Sequence, residues 1–521
     1  MKRAISTLVC FTLLVGTTGC NTTQGAEIDT NKYANALFDS SHVHTINIQI
    51  DKDSWADLLE NPTEKTKYKS TVVIDGNTIE NVSFATKGNS SLSQVAGSES
   101  DRYSFKINFG KFVEGQTYGG LDKLNLQNIF SDPTYMKDYL AFEIMKESGV
   151  ASPLTSYVSL SINGEVYGLY LALEDMSNSF LERTYGADYG DLYKPESEML
   201  GNMGQHNMKN MKLPVGTEMP EGMERPENDS QRPVPADGEK TTMLMGEGQR
   251  PEGGRDMGGT SKGADLAYTD DEFSSYSDIF DNAETDATDE DKSRLIQALK
   301  QLSTGENLEK CVDIDAVVRY FVAHNFVLNG DSYTGSMLHN YWLYEDNGNL
   351  SMLPWDYNLA FGGFHMKNNN DATSIVNTAI DTPLDEQNVG NRPMWDKVMA
   401  NEENLKLYHE YFNTLITDYF ESGKFESTVN RVSTMIRPYV ESDPTAWYTV
   451  DEFDTAVDTI TQFCLLRAQS IRSQLDGTLA STTAEQETAN LIDASTIDIS
   501  AMGSQGKGRG DEGKRNPEEE K

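Results

Sequence analysis

From His44 the chain turns β-rich: Ile46, Ile48 and Ile50 alternate with polar residues, the period of two that a half-buried strand imposes. Asp75-Gly76 separates Thr71–Ile74 from Thr78–Phe84, and Asn163-Gly164 separates Tyr157–Ile162 from Val166–Leu173. Both dipeptides accept the backbone of a two-residue turn, so each predicts a hairpin. Between the hairpins a helix is predicted over Thr134–Ser148, entered through Asp132-Pro133 and stopped by Gly149. Residues 41–196 read as an antiparallel sheet with at least one packed helix.

The pattern then lapses. Residues 198–264 hold nine of the twenty methionines, with many Gly, Pro and Glu and no Phe, Trp, Tyr, Ile or Cys. Such a stretch cannot bury enough apolar surface to offset its ordering entropy, so 197–270 reads as a flexible insertion. Order is expected again from about Asp270. The acidic run Asp281–Asp291 lacks the central Gly and ligand register of a calcium loop and reads as a solvated helix start. Ile314, Val317, Val318, Phe321, Val322 and Leu328 form a helical stripe ended by Asn329-Gly330, and helical periodicity returns from Glu403 to about Leu475. Residues 271–480 are therefore mainly helical, and 481–521 read as a polar, disordered tail.

Charge narrows the partners. The 521 residues carry a formal net charge of −39, and so acidic a surface repels phosphate backbones, which excludes nucleic acid as a partner class. Four cysteines are too few for a disulfide framework, and neither CxxC nor HExxH is present to suggest zinc. The first residues carry an address: Lys2 and Arg3 precede the apolar run Leu8–Val15 and then Thr18-Gly19-Cys20, the order of a secretory leader. The run is shorter than the ~20 residues a spanning helix requires. A cysteine directly after Gly19 resembles a bacterial lipobox, in which Cys20 becomes a lipidated N-terminus and residues 21–40 a tether to the membrane. The expected location is the cell envelope, facing away from the cytoplasm, or the medium if the lipobox is not used.

The densest polar constellation is Asn329-Gly-Asp331-Ser, His339-Asn340-Tyr-Trp-Leu-Tyr344 and Pro354-Trp355-Asp356-Tyr-Asn358. Asn340–Glu345 and Leu350–Leu353 flank Asp346-Asn347-Gly348 and should pair as a tight hairpin. Asn340 then falls opposite Pro354 or Trp355, with Asp356 at the same end of the ribbon and Asp331 entering from the preceding helix. Three oxygen-bearing side chains would converge there, which suits Mg²⁺ held by one or two carboxylates and a separate carboxylate acting on a hydroxyl. Turn and cap residues with satisfied hydrogen bonds account for the same spacing.

These motifs together resemble the CotH (spore coat protein H) family of atypical kinases. Further matches are Lys87-Gly-Asn-Ser-Ser91, Phe105-Lys106-Ile107, Leu121-Asp-Lys-Leu-Asn-Leu126, Lys137-Asp138 where the family usually has Arg-Asp, Ile162–Tyr170 with Glu174, Leu192-Tyr-Lys194 and Arg392-Pro-Met-Trp. The resemblance covers about residues 41–480. It implies an α+β, divergent bilobal protein-kinase-like fold, with a β-rich N-terminal lobe and a mainly helical C-terminal lobe. It implies ATP with Mg²⁺ or Mn²⁺, and Ser/Thr of an exported or surface protein as acceptor. Carried over by motif, Asp331 is the catalytic carboxylate, Asp356 the principal metal ligand and Asn340 a second ligand. Lys87, Gly88 and Asn89 would cradle phosphate in place of the missing GxGxxG loop, with Lys106 and Lys137 as further nucleotide contacts. The alternative is a non-catalytic envelope or coat-assembly scaffold with the same fold.

Overall fold

The computed structural model describes residues 32–197, 261–335, 337–364, 371–384 and 388–503. The leader with Cys20, most of the 21–40 tether, residues 198–260 and residues 504–521 lie outside them. The chain is α+β. Seven strands, β1 (His44–Gln49), β2 (Tyr68–Ile74), β3 (Asn77–Lys87), β4 (Ser104–Asn108), β5 (Lys123–Gln127), β6 (Thr155–Ile162) and β7 (Glu165–Glu174), close into a barrel in the order β1-β2-β3-β4-β5-β7-β6. All neighbours run antiparallel except β1 and β6, whose parallel pairing seals the ring. The expected antiparallel sheet is thus a barrel with one parallel seam, and closure leaves it no exposed edge.

Alternation supplies the barrel core: Ile46 and Ile48 of β1 meet Val72, Ile74, Phe84, Phe105, Leu124, Leu126, Val158 and Leu160. The two predicted hairpins form with both turn residues at positive φ, Asp75 at 47° with Gly76 at 82°, and Asn163 at 53° with Gly164 at 87°. The predicted helix starts later than expected, spanning Lys137–Glu147. Asp132 causes the delay: its carboxylate accepts the Thr134 N–H at 3.0 Å and the Lys137 N–H at 2.9 Å, holding the intervening residues in a turn.

The second part gathers helices around a three-stranded sheet ordered β10-β9-β8, built from β8 (Asp191–Tyr193), β9 (Tyr341–Asp346) and β10 (Asn349–Pro354). Its spine is the helix Ile314–Val327, buried on nearly every side from Val317 onward. That helix ends in Leu328 at φ 54°, so the left-handed cap falls on a leucine one residue before the expected Asn-Gly stop. The helices Glu402–Leu415, Lys424–Ser442 and Val450–Leu475 fill the predicted helical stretch. None of the described helices is long and apolar enough to cross a membrane. Cys311 and Cys464 are both buried and free.

Two boundaries need correction. Order resumes at residue 261 instead of 270, because Ala264 and Leu266 are fully buried and the Ala264 carbonyl accepts the Tyr341 hydroxyl at 2.6 Å. The expected disordered tail is ordered as far as Gly503. Ala494, Ile497, Ile499 and Met502 are buried in the main core, and a short apolar set of this kind, spaced among polar residues, escapes a compositional reading. The two parts are joined by an ion pair with both side chains fully buried, Arg102 Nη1 to Asp443 Oδ2 at 2.7 Å. Gly168 lies against it, at φ 158°, where a Cβ would come within 2.5 Å of the Arg102 guanidinium.

Candidate functional site

The β9–β10 ribbon sets the geometry. Asn347 and Gly348, at φ 52° and 90°, close it, and its register pairs Asn349 with Asp346 and Tyr341 with Pro354. One step further along the ribbon, Asn340 is level with Trp355, as the turn position predicts. Asn340 and Asp356 both adopt φ 55°, and Leu338 stands at 53°. Left-handed backbone at three residues without a glycine among them is local strain that the surroundings must hold in place. Two bonds hold it at Asp356: Asn329 Nδ2 donates to the Asp356 carbonyl at 3.2 Å, and the Tyr357 N–H donates to Asp138 Oδ1 at 2.7 Å.

Asp331 follows the spine helix and is 8% exposed. Asn340 Nδ2 donates to its carbonyl at 2.9 Å and to Oδ2 at 3.2 Å, while His339 Nε2 lies 3.2 Å from Oδ1. Both carboxylate oxygens are therefore held in a fixed plane. Burial opposes protonation of His339, but the hydrogen bond and charge of Asp331, with the charge of Asp356, outweigh it and raise its pKa.

Across the cleft stands the barrel. Lys87 closes β3 with its ammonium 5.6 Å from the Trp355 ring centroid, a cation–π distance. Burial lowers its pKa to about 8, Lys106 and Lys194 adding to the effect while Asp356 and Asp175 oppose it. Lys106 on β4 is paired with Asp175, which also accepts Asn125 Nδ2 at 3.1 Å. Burial alone would raise the Asp175 pKa, but Lys106 above all, then Lys123 and Lys87, bring it below the usual carboxylate range. At the cleft edge Asn89 Oδ1 accepts Lys65 Nζ at 2.8 Å, and Gly88 takes φ 106°, a conformation open to glycine. Burial raises the Asp356 pKa, Asp331 adds to this, and Lys87, Lys194 and His339 pull it back. No described residue donates a hydrogen bond to its carboxylate.

The structure thus brings Asp331, Asn340 and Asp356 together with Lys87, Gly88, Asn89 and Lys106. It does not bring Lys137. That side chain is 0% exposed and its ammonium donates to the Gly503 carbonyl at 3.1 Å, inside the protein. Its neighbour Asp138 faces the cleft instead, and burial together with the Asp356 charge raises its pKa to about 8. Helical geometry contains the signal: residues i and i+1 point about 100° apart, so only one of the Lys137-Asp138 pair can face the cleft. Sequence reasoning set Asn329 and His339 in the polar constellation without giving either a role, and it passed over Asp175, whose part rests on contacts between distant segments.

The model of the CotH kinase protein family matches residues 84–471, and the chain belongs to that family. The matched span begins on β3 and contains every cleft residue named above except Lys65. Among curated proteins, Inner spore coat protein H of Bacillus subtilis (strain 168) is 22% identical over 366 residues, which cover 70% of this chain and 81% of the relative.

Proposed function

We propose that the chain is an atypical serine/threonine kinase of the CotH type, with a divergent kinase-like bilobal fold, that transfers the γ-phosphoryl group of ATP to exported proteins in the cell envelope. The observation that carries this reading is the facing of two sets across one cleft. Asp331, Asn340 and Asp356 lie on one side, and Lys87 and Lys106 lie on the other. Phosphoryl transfer asks the protein mainly for positioning and charge neutralisation.

The donor set fits a hard divalent cation. The Asp356 carboxylate and the Asn340 amide oxygen accept no hydrogen bond from a described residue, and carboxylate with amide oxygen is the chemistry Mg²⁺ or Mn²⁺ takes beside waters and phosphates. Bound there, the ion supplies charge neutralisation on the ATP phosphates. Lys87 and Lys106 face the same phosphates as point charges, with Asp175 orienting Lys106 and the Gly88-Asn89 backbone lining the edge. Asp331 accepts the proton of the acceptor hydroxyl as its oxygen attacks the γ-phosphorus and ADP departs. His339 and Asn340 keep the Asp331 carboxylate in plane.

A second reading is a non-catalytic scaffold for coat or envelope assembly. It is favoured by the fact that both Asp331 oxygens already accept contacts, and by the name of the Bacillus relative. Incubation of the purified chain with γ-labelled ATP and Mn²⁺ or Mg²⁺, beside Asp331→Ala and Asp356→Ala, separates the two. The kinase reading expects label on the chain or on an added protein, falling by roughly 10²–10⁴-fold in Asp331→Ala and lost in Asp356→Ala. A folded chain that neither binds nor hydrolyses ATP establishes the scaffold. Label that survives both substitutions overturns the residue roles.

A further inference from the structure

Away from the cleft, at the end of the barrel where β1 begins, His42, His44 and Asp75 each place one donor atom within 4.8 Å of the other two. They come from three places in the chain: the loop before β1, the first residue of β1, and the β2–β3 turn. His44 is fully buried, and its two ring nitrogens both face acceptors. Nε2 lies 2.9 Å from the Asp39 carbonyl, and Nδ1 lies 2.7 Å from Asp75 Oδ2. A ring that gives its Nε2 proton to a backbone carbonyl presents a lone pair at Nδ1, and that lone pair meets a carboxylate oxygen. A metal ion bound by both atoms takes the place of that contact, parting them somewhat from 2.7 Å.

The surroundings are those of a ligand set. The Nε2–H to carbonyl bond is the outer contact that fixes the tautomer of metal-binding histidines. Asp75 is anchored in the same way: Oδ1 accepts the Thr45 N–H at 2.8 Å and the Thr45 hydroxyl at 3.0 Å, which leaves Oδ2 for the cation. The His42 ring lies over His44 with centroids 4.1 Å apart. Its Nδ1 touches Ser41 Oγ at 3.3 Å and stands 3.7 Å from Asp39 Oδ2. At 54% exposure the ring has room to turn a nitrogen inward.

We propose that His42, His44 and Asp75 form a site for a borderline divalent metal ion, zinc being the probe of choice, which clamps the segment before β1 to the β2–β3 turn. Two imidazoles and one carboxylate are a zinc-type donor set, with water completing the four-coordinate shell. The site rests on none of the cleft residues and is independent of the activity proposed above.

The test uses the full chain purified without a polyhistidine tag and stripped with a chelator. Zinc is titrated calorimetrically into this protein and into His42→Ala, which leaves the His44–Asp75 contact in place. The wild-type chain is expected to bind one more zinc ion than the variant. At that site the variant is expected to lose at least the roughly 10–100-fold in affinity that removal of even an outer-shell partner costs. Thermal unfolding should shift upward with zinc in the wild type and less in His42→Ala, while Mg²⁺ should give no such difference. Equal stoichiometry and equal thermal response in the two proteins overturns the site and leaves a hydrogen bond between His44 and Asp75. His44→Gln, melted without metal, reports how much that pair contributes to folding by itself.

Discussion

Lys87 shows how burial sets the working range of a single group. Its pKa is lowered to about 8 from 10.5, so in the free protein the folded chain gives up this proton before the unfolded chain does. Between those values the unfolded state binds more protons, and the contribution of Lys87 to stability rises with pH. Nucleotide binding runs the other way, because the phosphates need the ammonium. ATP affinity measured across pH 7–9 is expected to weaken above about 8 in the wild type. In Lys87→Arg that decline should be absent, since the guanidinium stays charged. An affinity that falls equally in both proteins assigns the limb to another group. His339 offers a second test, because its ring contacts Asp331 directly and acts on Asp356 only through its charge. His339→Ala is expected to lower kcat on the order of 10²-fold, the cost of a reacting group displaced by an ångström. KM for ATP should hardly move. A rise in KM with kcat intact would place His339 with the nucleotide instead.

Among the elements, turns were the most readable. Asp75-Gly76, Asn163-Gly164 and Asn347-Gly348 each formed the expected hairpin, and the last placed Asn340 level with Trp355, so the convergence of the acidic residues could be drawn before any coordinates. Closure of the barrel through parallel β1 and β6 was not readable, because pairing between segments about a hundred residues apart leaves no local pattern. Asp138 was missed for a related reason: which of two adjacent residues faces a cleft depends on what packs behind the helix. The stretch after residue 481 was misread because four buried apolar residues among polar ones do not shift composition. This stretch makes its own prediction. A chain ended after Gly503 is the reference for the test. One ended after residue 481 should lose at least the roughly 2–5 kcal/mol that emptying a buried Met site costs, since Met502 and Ile499 leave the core and Lys137 loses the Gly503 carbonyl. Equal midpoints for both truncations would mean that the stretch contributes nothing to the fold.

For the molecule as a whole, the seam between barrel and helices decides whether the cleft persists. Arg102 spans it, bonded to Asp443, Thr445 and the carbonyls of Asn128 and Leu169. Arg102→Ala leaves a buried carboxylate without its counter-charge, and urea unfolding should register a loss of about 3–5 kcal/mol. Gly168→Ala presses a methyl onto the same pair and should also destabilise, whereas a neutral result for both would mean that the seam tolerates water. Elsewhere a single residue ties two distant stretches. The Asp278 carbonyl accepts the Glu196 N–H at 3.0 Å, its own N–H donates to the Lys262 carbonyl at 3.1 Å, and its Oδ2 accepts the Lys262 N–H at 3.3 Å. The two borders of residues 198–260 therefore meet at one knot. Asp278→Ala removes the carboxylate contact to Lys262 and should lower the midpoint of thermal unfolding, and an unchanged midpoint would mean that the backbone bonds alone hold the knot. Like the neck of a drawn purse, the knot sets one point at which the chain leaves the scaffold and returns to it.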